Sequence, residues 1–178
     1  MTPIELRPVS ANDVSAVIQF DHTCETAHTW QMDDTLEEDQ ISLNFRKIRL
    51  PRLVKLEYPR NPAGLIKTWK KRDLCLIARM DSQRCGYLTL IVDEHKTGRI
   101  IDLVVDAPFR RQGVASALLV AAQDWLRSNG FQQCTLELQI KNEIAIAMTE
   151  KLGFAFCGYQ DRYFENQQIA VFFTQFLR

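Results

Sequence analysis

Residues 99–122, RIIDLVVDAPFRRQGVASALLVAA, decide how this chain is read. Ile100 to Val105 is apolar except for Asp102, the pattern of a strand buried on both faces. Asp106-Ala107-Pro108 is turn chemistry, since aspartate bonds nearby backbone and proline cannot extend a ladder. From Gly113 onward Val114, Leu118, Ala121 and Trp125 recur at helical spacing, and Asn129-Gly130 supplies a C-terminal stop. Strand and helix meet at Arg110-Arg111-Gln112-Gly113-Val114-Ala115-Ser116. The first N–H groups of a helix have no intrahelical partners and lie at the positive end of its dipole. Gly113 and Ala115 allow close approach to that backbone and the arginines add charge-assisted donors, so the junction suits a phosphate.

The pattern Arg110-x-x-Gly113-x-Ala115, behind a strand ending Val104-Val105-x-x-Pro108, resembles the acetyl-CoA signature of the GNAT family of N-acetyltransferases, Gln/Arg-x-x-Gly-x-Gly/Ala. A second block, NEIAIAMTEKLGF from Asn142 to Phe154, resembles that family's Asn-x-x-Ala to Tyr-Glu-Lys-Leu-Gly-Phe signature and lies one helix and one strand further on. The resemblance covers residues 74–177. It implies an α+β (mixed α/β) fold, a curved and mostly antiparallel sheet of six to seven strands with a central, splayed parallel pair, flanked by helices. It also implies acetyl-CoA as co-substrate. Residues Arg110, Arg111, Gln112, Gly113, Val114, Ala115 and Ser116 would grip the pyrophosphate, with Asn142 nearby. Leu103, Val104 and Val105 would line the splay, a free N–H of Leu103 or Val104 polarising the thioester carbonyl. Asn142 also has a simpler role open to it, as a helix cap.

Composition narrows the field. A chain of 178 residues, 46% hydrophobic, can bury one core, and a single domain over 1–178 is expected. Basic and acidic residues balance at 22 each, leaving no net field to recruit nucleic acid or an anionic membrane. Five cysteines, at 24, 75, 85, 134 and 157, lack Cys-x-x-Cys spacing, which argues against a disulfide framework and against a metal site. No leader pattern and no apolar run of about 18 residues is present, so a cytoplasmic protein is expected. The oligomeric state stays open, a homodimer included.

Outside the organising stretch the elements follow in order. Residues 3–7 alternate as a strand, and Ser10 caps a short helix carrying Val14, Val17 and Ile18. Residues 22–72 form a variable segment on the acceptor side. Within it, acidic residues 33–39 connect two strand-like stretches, with a break in the second near Arg46. Residues 46–72 are strongly basic and read as a solvated face, the alternative being contact with CoA phosphates or an acidic partner. A short helix is expected at 63–71, strands at 74–80 and 87–92 around a turn at Asp81 to Gly86, and a strand at 133–140 parallel to the organising one. Strands near 154–160 and 169–176 close the domain. A looser resemblance, carried by Phe20-Asp21-His22, residues 41–59 and Phe156 to Tyr159, is to streptothricin acetyltransferases, and implies a small, polyamine-like acceptor.

Acetyl transfer to an amine by direct attack needs a proton acceptor and a path for the thiolate. Asp102 sits in the organising strand as a base or as the structural partner of an arginine, and Glu137 is the second carboxylate. Where the family resemblance implies a tyrosine acting as general acid, this chain has Thr149, which is too weak an acid. Tyr159 or Tyr163 can supply the proton, the thiolate can leave unprotonated, or the chain can bind acyl-CoA without turnover. His22, His28 and His95 read as surface or loop residues, and Cys157 has no histidine motif to activate it. The expectation is an N-acetyltransferase acting on a primary amine of a small cationic acceptor. The alternatives are a protein amine or a catalytically impaired CoA-binding regulatory module.

Overall fold

The structure, a computed structural model, describes residues 3–177. A strand, Glu5–Pro8 (β1), leads to a helix, Ala11–Val17 (α1), at whose start the N–H and Oγ of Ser10 donate to Asp13 Oδ2 at 2.9 and 2.6 Å. A long hairpin follows, Cys24–Leu36 (β2) with Ile41–Leu56 (β3), then an irregular segment that includes one short helix, Leu65–Thr68 (α2). Leu74–Met80 (β4), Gln83–Val92 (β5) and Thr97–Val105 (β6) lead into the helix Val114–Ser128 (α3). Gln133–Gln139 (β7), the helix Glu143–Lys151 (α4), Ala155–Gln160 (β8) and Ala170–Phe176 (β9) complete the order.

Among the described residues seven strands form one sheet in the order β1-β4-β5-β6-β7-β9-β8, and β2 and β3 form a separate ribbon. Every neighbour pair in the sheet is antiparallel except β6 with β7, which are parallel because a whole helix, α3, returns the chain between them. This is the mixed α+β architecture that the sequence implied, with the hairpin outside the main sheet.

The pairing of β6 with β7 runs from Thr97–Gln133 to Ile100–Leu136 and stops there. At the same point β6 carries a bulge toward β5, where Thr89 faces Asp102 but Leu90 faces Ile100, leaving Ile101 extra. A bulge bends its strand and resets the alternation of side chains. Ile100 and Leu103 therefore pack on one side with α3, whereas Val104 packs with α1 on the other and Asp102 shares that side. Residues 101–105 keep β5 as a neighbour and have no strand beside them in the direction of β7.

The apolar side of α3, Val114, Leu118, Leu119, Ala122 and Leu126, is fully buried on Leu88, Leu90, Ile100 and Leu136. Gly98 makes this approach feasible, because a Cβ there would lie 2.3 Å from Leu126 Cδ2. On the opposite side Val14, Val17 and Leu65 cover Ile77, Tyr87 and Val104.

Three local expectations are corrected. The turn after β4 is only Asp81-Ser82, both at positive φ (46° and 64°), and Gln83 to Gly86 already belong to β5. The irregularity in the hairpin lies not near Arg46 but at residues 50–53, between the Thr26–Val54 and His28–Arg49 pairs. Pro51 explains it, having no N–H to give the ladder. The connection between β2 and β3 is residues 37–40 alone, so Asp33 and Asp34 lie within β2. Among the described residues no helix is long and apolar enough to cross a membrane, and no His/Cys/Asp/Glu group of three or more is placed to hold a metal ion.

Candidate active site

Beyond Ile100 the separation of β6 from β7 opens a cleft of about 200 Å³. Leu103, Val104 and Val105 form one wall, Leu136 to Gln139 the other, and Ala115, Asn142 and Met148 its helical side. N–H groups of successive strand residues point to opposite edges. One of Leu103 and Val104 therefore bonds toward β5 and the other turns its N–H into the gap.

At the helical end Gly113 caps α3 with φ 85° and ψ 0°, a left-handed conformation that favours glycine. The first turn's closing bond runs from Ala117 N to Gly113 O at 2.9 Å, so the N–H groups of Val114, Ala115 and Ser116 precede the helical ladder. The Arg110 guanidinium is engaged elsewhere. Its Nε donates to Val105 O at 3.0 Å and its Nη2 to Asp21 O at 2.5 Å, which ties the loop after α1 to the end of β6. Gln112 Nε2 donates to Pro108 O at 3.0 Å. What this junction offers an anion is thus main-chain N–H and the exposed Arg111, a fit to a phosphate that rests on backbone more than on Arg110. Asn142 Oδ1 caps α4 by accepting from Ala145 N at 3.1 Å while the residue also lines the cleft. Thr149 is fully buried, and its Oγ1 donates to Ala145 O at 2.8 Å within α4.

A strap of chain, Tyr58-Pro59-Arg60, separates the cleft from a second cavity of about 500 Å³ and lines both. Asp102 is 6% exposed at the floor of that second cavity. It accepts hydrogen bonds from Tyr58 Oη and, at 2.5 Å, from Thr89 Oγ1. Glu137, on the same side of the sheet, has a side chain 1% exposed; its Oε2 accepts from Arg60 Nη2 at 2.6 Å. Its Oε1 has no hydrogen-bond partner, Arg99 Nε being 3.8 Å away. Arg60 Nη1 also donates to Ile101 O at 3.0 Å, the carbonyl of the bulged residue, and the guanidinium lies 5.0 Å from the centre of the Phe164 ring.

His22, expected as a surface or loop residue, does lie in the loop between α1 and β2, but it is half-buried in the cleft wall. Its Nδ1 lies 2.7 Å from Phe20 O and must donate to it, leaving Nε2 to accept from Tyr87 Oη at 3.1 Å. Burial pulls its pKa below the usual histidine value, which favours this neutral ring. Burial, with Asp102 adding to it, pushes the Tyr58 and Tyr87 phenols up, so both stay protonated donors.

Tyr163 lines the second cavity, its phenol pushed up first by burial and then by Glu137. Tyr159 packs edge-on to Phe45, ring centres 5.6 Å apart, and lines neither cavity. His28 pairs with Arg49 in the hairpin and His95 is exposed. Cys157 is exposed on β8. Tyr58, Arg60 and Arg72 had not been singled out. The signal for the first two was the rigid Tyr58-Pro59-Arg60-Asn61-Pro62 run between two basic stretches.

Residues 28–154 match the acetyltransferase (GNAT) family. The chain belongs to that family. An N-alpha-acetyltransferase of Arabidopsis thaliana, MAK3, is 32% identical over 84 residues, which is 46% of this chain and 44% of the relative. The chain thus spans under half the length of that curated relative. The crystal structure of nourseothricin acetyltransferase superposes with a TM-score of 0.83 over 99% of this chain and 100% of that one, at 19% identity. A protein of Bacillus anthracis str. Ames assigned as a streptothricin acetyltransferase, solved in complex with acetyl coenzyme A, superposes at 0.74 with 19% identity over 99% of both chains. At such identity the likeness is one of fold, and it extends through the hairpin.

Proposed function

We propose that this protein is an acetyl-CoA-dependent N-acetyltransferase that acetylates the primary amine of a small acceptor seated in the larger cavity. The observation that carries this reading is that two cavities share the Tyr58–Arg60 strap, one beside the splayed strands and the α3 N-terminus, the other above a buried carboxylate. Acetyl-CoA supplies the thioester carbonyl. The N–H groups at the start of α3, with Arg111, hold its pyrophosphate, and residues 103–105 line its arm. The N–H of Leu103 or Val104 that faces the gap holds the carbonyl oxygen as charge develops on it. Asp102, fixed by Tyr58 and Thr89, takes the proton from the acceptor ammonium directly or through water. The free amine then attacks the carbonyl, the C–S bond breaks with the sulfur leaving as thiolate, and the second proton on the nitrogen passes to that thiolate or to water as the amide forms. No protein acid is needed for that step, since a thiol pKa of about 8.5 makes the thiolate a fair leaving group. This suits a chain whose Thr149 hydroxyl is turned to its own helix.

A cavity of about 500 Å³ fits a small molecule. The whole-length likeness to nourseothricin acetyltransferase supports that class of acceptor. A peptide amino terminus is the second reading, favoured by the N-alpha-acetyltransferase relatives. All five cysteines are free, which suits the reducing cytoplasm in which we place the protein. The test is calorimetric titration with acetyl-CoA, followed in the same sample by thiol release on adding amines, peptides and streptothricin. Binding with amine-dependent release is expected. Absence of binding overturns the reading, and binding without release for any amine leaves only a CoA-binding module.

A further inference from the structure

We propose that Arg72 anchors a carboxylate on the acceptor, so that the substrate is a small amino-acid-like molecule carrying both an amine and an acid. This rests on the transferase reading above and narrows it to a substrate class.

Arg72 follows the short helical turn after α2 and lines the larger cavity together with Asp102 and Tyr58. Its Nε is buried without a hydrogen-bond partner, and no carboxylate among the described residues pairs with its guanidinium. A guanidinium is charged at any physiological pH, and a buried donor with nothing to bond is unfavourable. None of the neighbouring acids forms an ion pair with it. Asp73 Oδ2 accepts from Val92 N at 2.8 Å. Asp102 takes its two hydroxyl donors from Tyr58 and Thr89. Glu165 is exposed at the rim. The other arginine of this cavity, Arg60, is accounted for by Glu137 and Ile101 O.

The cavity therefore holds one cation lacking an oxygen partner and, on its floor, the carboxylate that receives the amine proton. A ligand that satisfies both carries a planar anion for the fork of Arg72 and an ammonium for Asp102. A polyamine offers nothing to Arg72 and places a second positive charge in the cavity with it. Tyr58, Pro59 and Leu65 supply apolar wall for the carbon chain between the two ends.

The test compares matched acceptors by thiol release with acetyl-CoA: each common amino acid against the amine left by removing its carboxyl group, for example lysine against cadaverine. For the accepted member, kcat/KM is expected to exceed that of its decarboxylated partner by about 10- to 100-fold. In Arg72→Gln that ratio collapses toward one, through KM, while Arg72→Lys restores part of it. Circular dichroism on both variants shows that they are folded. Preference for the decarboxylated amines, or a preference that survives R72Q, overturns the proposal and leaves the transferase standing. Acetyl-CoA binding with turnover of peptides or polyamines only does the same. Failure to bind acetyl-CoA removes both.

Discussion

The two faces of the sheet at β5, β6 and β7 are both buried and hold opposite chemistry. Toward α3 the strands present Leu88, Leu90, Ile100, Cys134 and Leu136. Toward the Tyr58–Arg60 strap the alternate residues are Thr89, Asp102, Thr135, Glu137 and Gln139. The first face is stabilised by the area it removes from water and asks only for shape. The second is tolerated only where each polar atom finds a partner. Most do: Gln139 Nε2 donates to Glu57 O at 3.1 Å and Gln168 Oε1 at 3.0 Å, and Thr135 meets Thr174 at 3.0 Å. Buried side-chain atoms without partners among the described residues are Trp30 Nε1, Arg72 Nε and Glu137 Oε1, and the last two border the cavities at the strap.

The contrast predicts a division between chemistry and stability. Asp102→Asn keeps an amide that can bond both Tyr58 and Thr89, so the fold should persist while the proposed base is lost. We expect kcat to fall by ~10²- to 10⁴-fold, with Tm moving by less than about 4 °C. A loss of stability that matches the loss of rate would make this face structural and end the comparison.

Leu118→Ala, on the opposite face, does the reverse. It empties a fully buried site against α3's neighbours and is expected to cost about 2–5 kcal/mol in urea denaturation, leaving kcat of the folded fraction unchanged. An altered rate in the folded protein would show that the two faces communicate.

The smallest effect sharpens the contrast along the polar side. Asp13 on α1 is buried but fully partnered, and the Arg7 guanidinium beside it, with help from Ser10 and Arg84, holds its carboxyl well below the usual carboxylate range. A carboxylate with a lowered folded pKa stabilises at pH values above its unfolded pKa of about 3.9, and that contribution is lost as pH falls below it. Asp13→Asn should therefore be less stable by ~1.5–3 kcal/mol at pH 7. The gap should narrow in denaturation at pH 3, and a gap that is equal at both pH values contradicts the assignment.

Much of the architecture was legible because it is local. The strand-turn-helix at residues 99–122, the glycine at 113 and the cap at Asn142 each depend on neighbours a few positions away, and each stands where the sequence placed it. The strap was not legible, because its bonds are long-range: Tyr58 reaches Asp102 and Arg60 reaches Glu137 across 44 and 77 positions. Charge counting assigned Arg60 and Arg72 to a solvated basic run, and nothing in composition separates an arginine that folds inward from its exposed neighbours. The burial of His22 in its loop was not legible for the same reason, since its partner Tyr87 is 65 residues away. Pro51, by contrast, was a visible signal for the break in β3, outweighed by the irregular spacing of apolar residues around Arg46.

Ile101 gives the cleft a peculiar dependence on counting. Strict alternation from Ile100 would send Asp102 the same way as Ile100, into hydrocarbon beneath α3. The extra residue shifts the phase by one step, so the carboxylate emerges beside Tyr58 instead, and its displaced carbonyl is the one that Arg60 holds. Deleting Ile101 would leave Asp102 facing the strap yet give β6 an unbroken repeat, free to zip onward along β7 past Leu136. The gap beside β6 thus begins where a single inserted residue shifts the strand's phase, much as an inserted base shifts a reading frame.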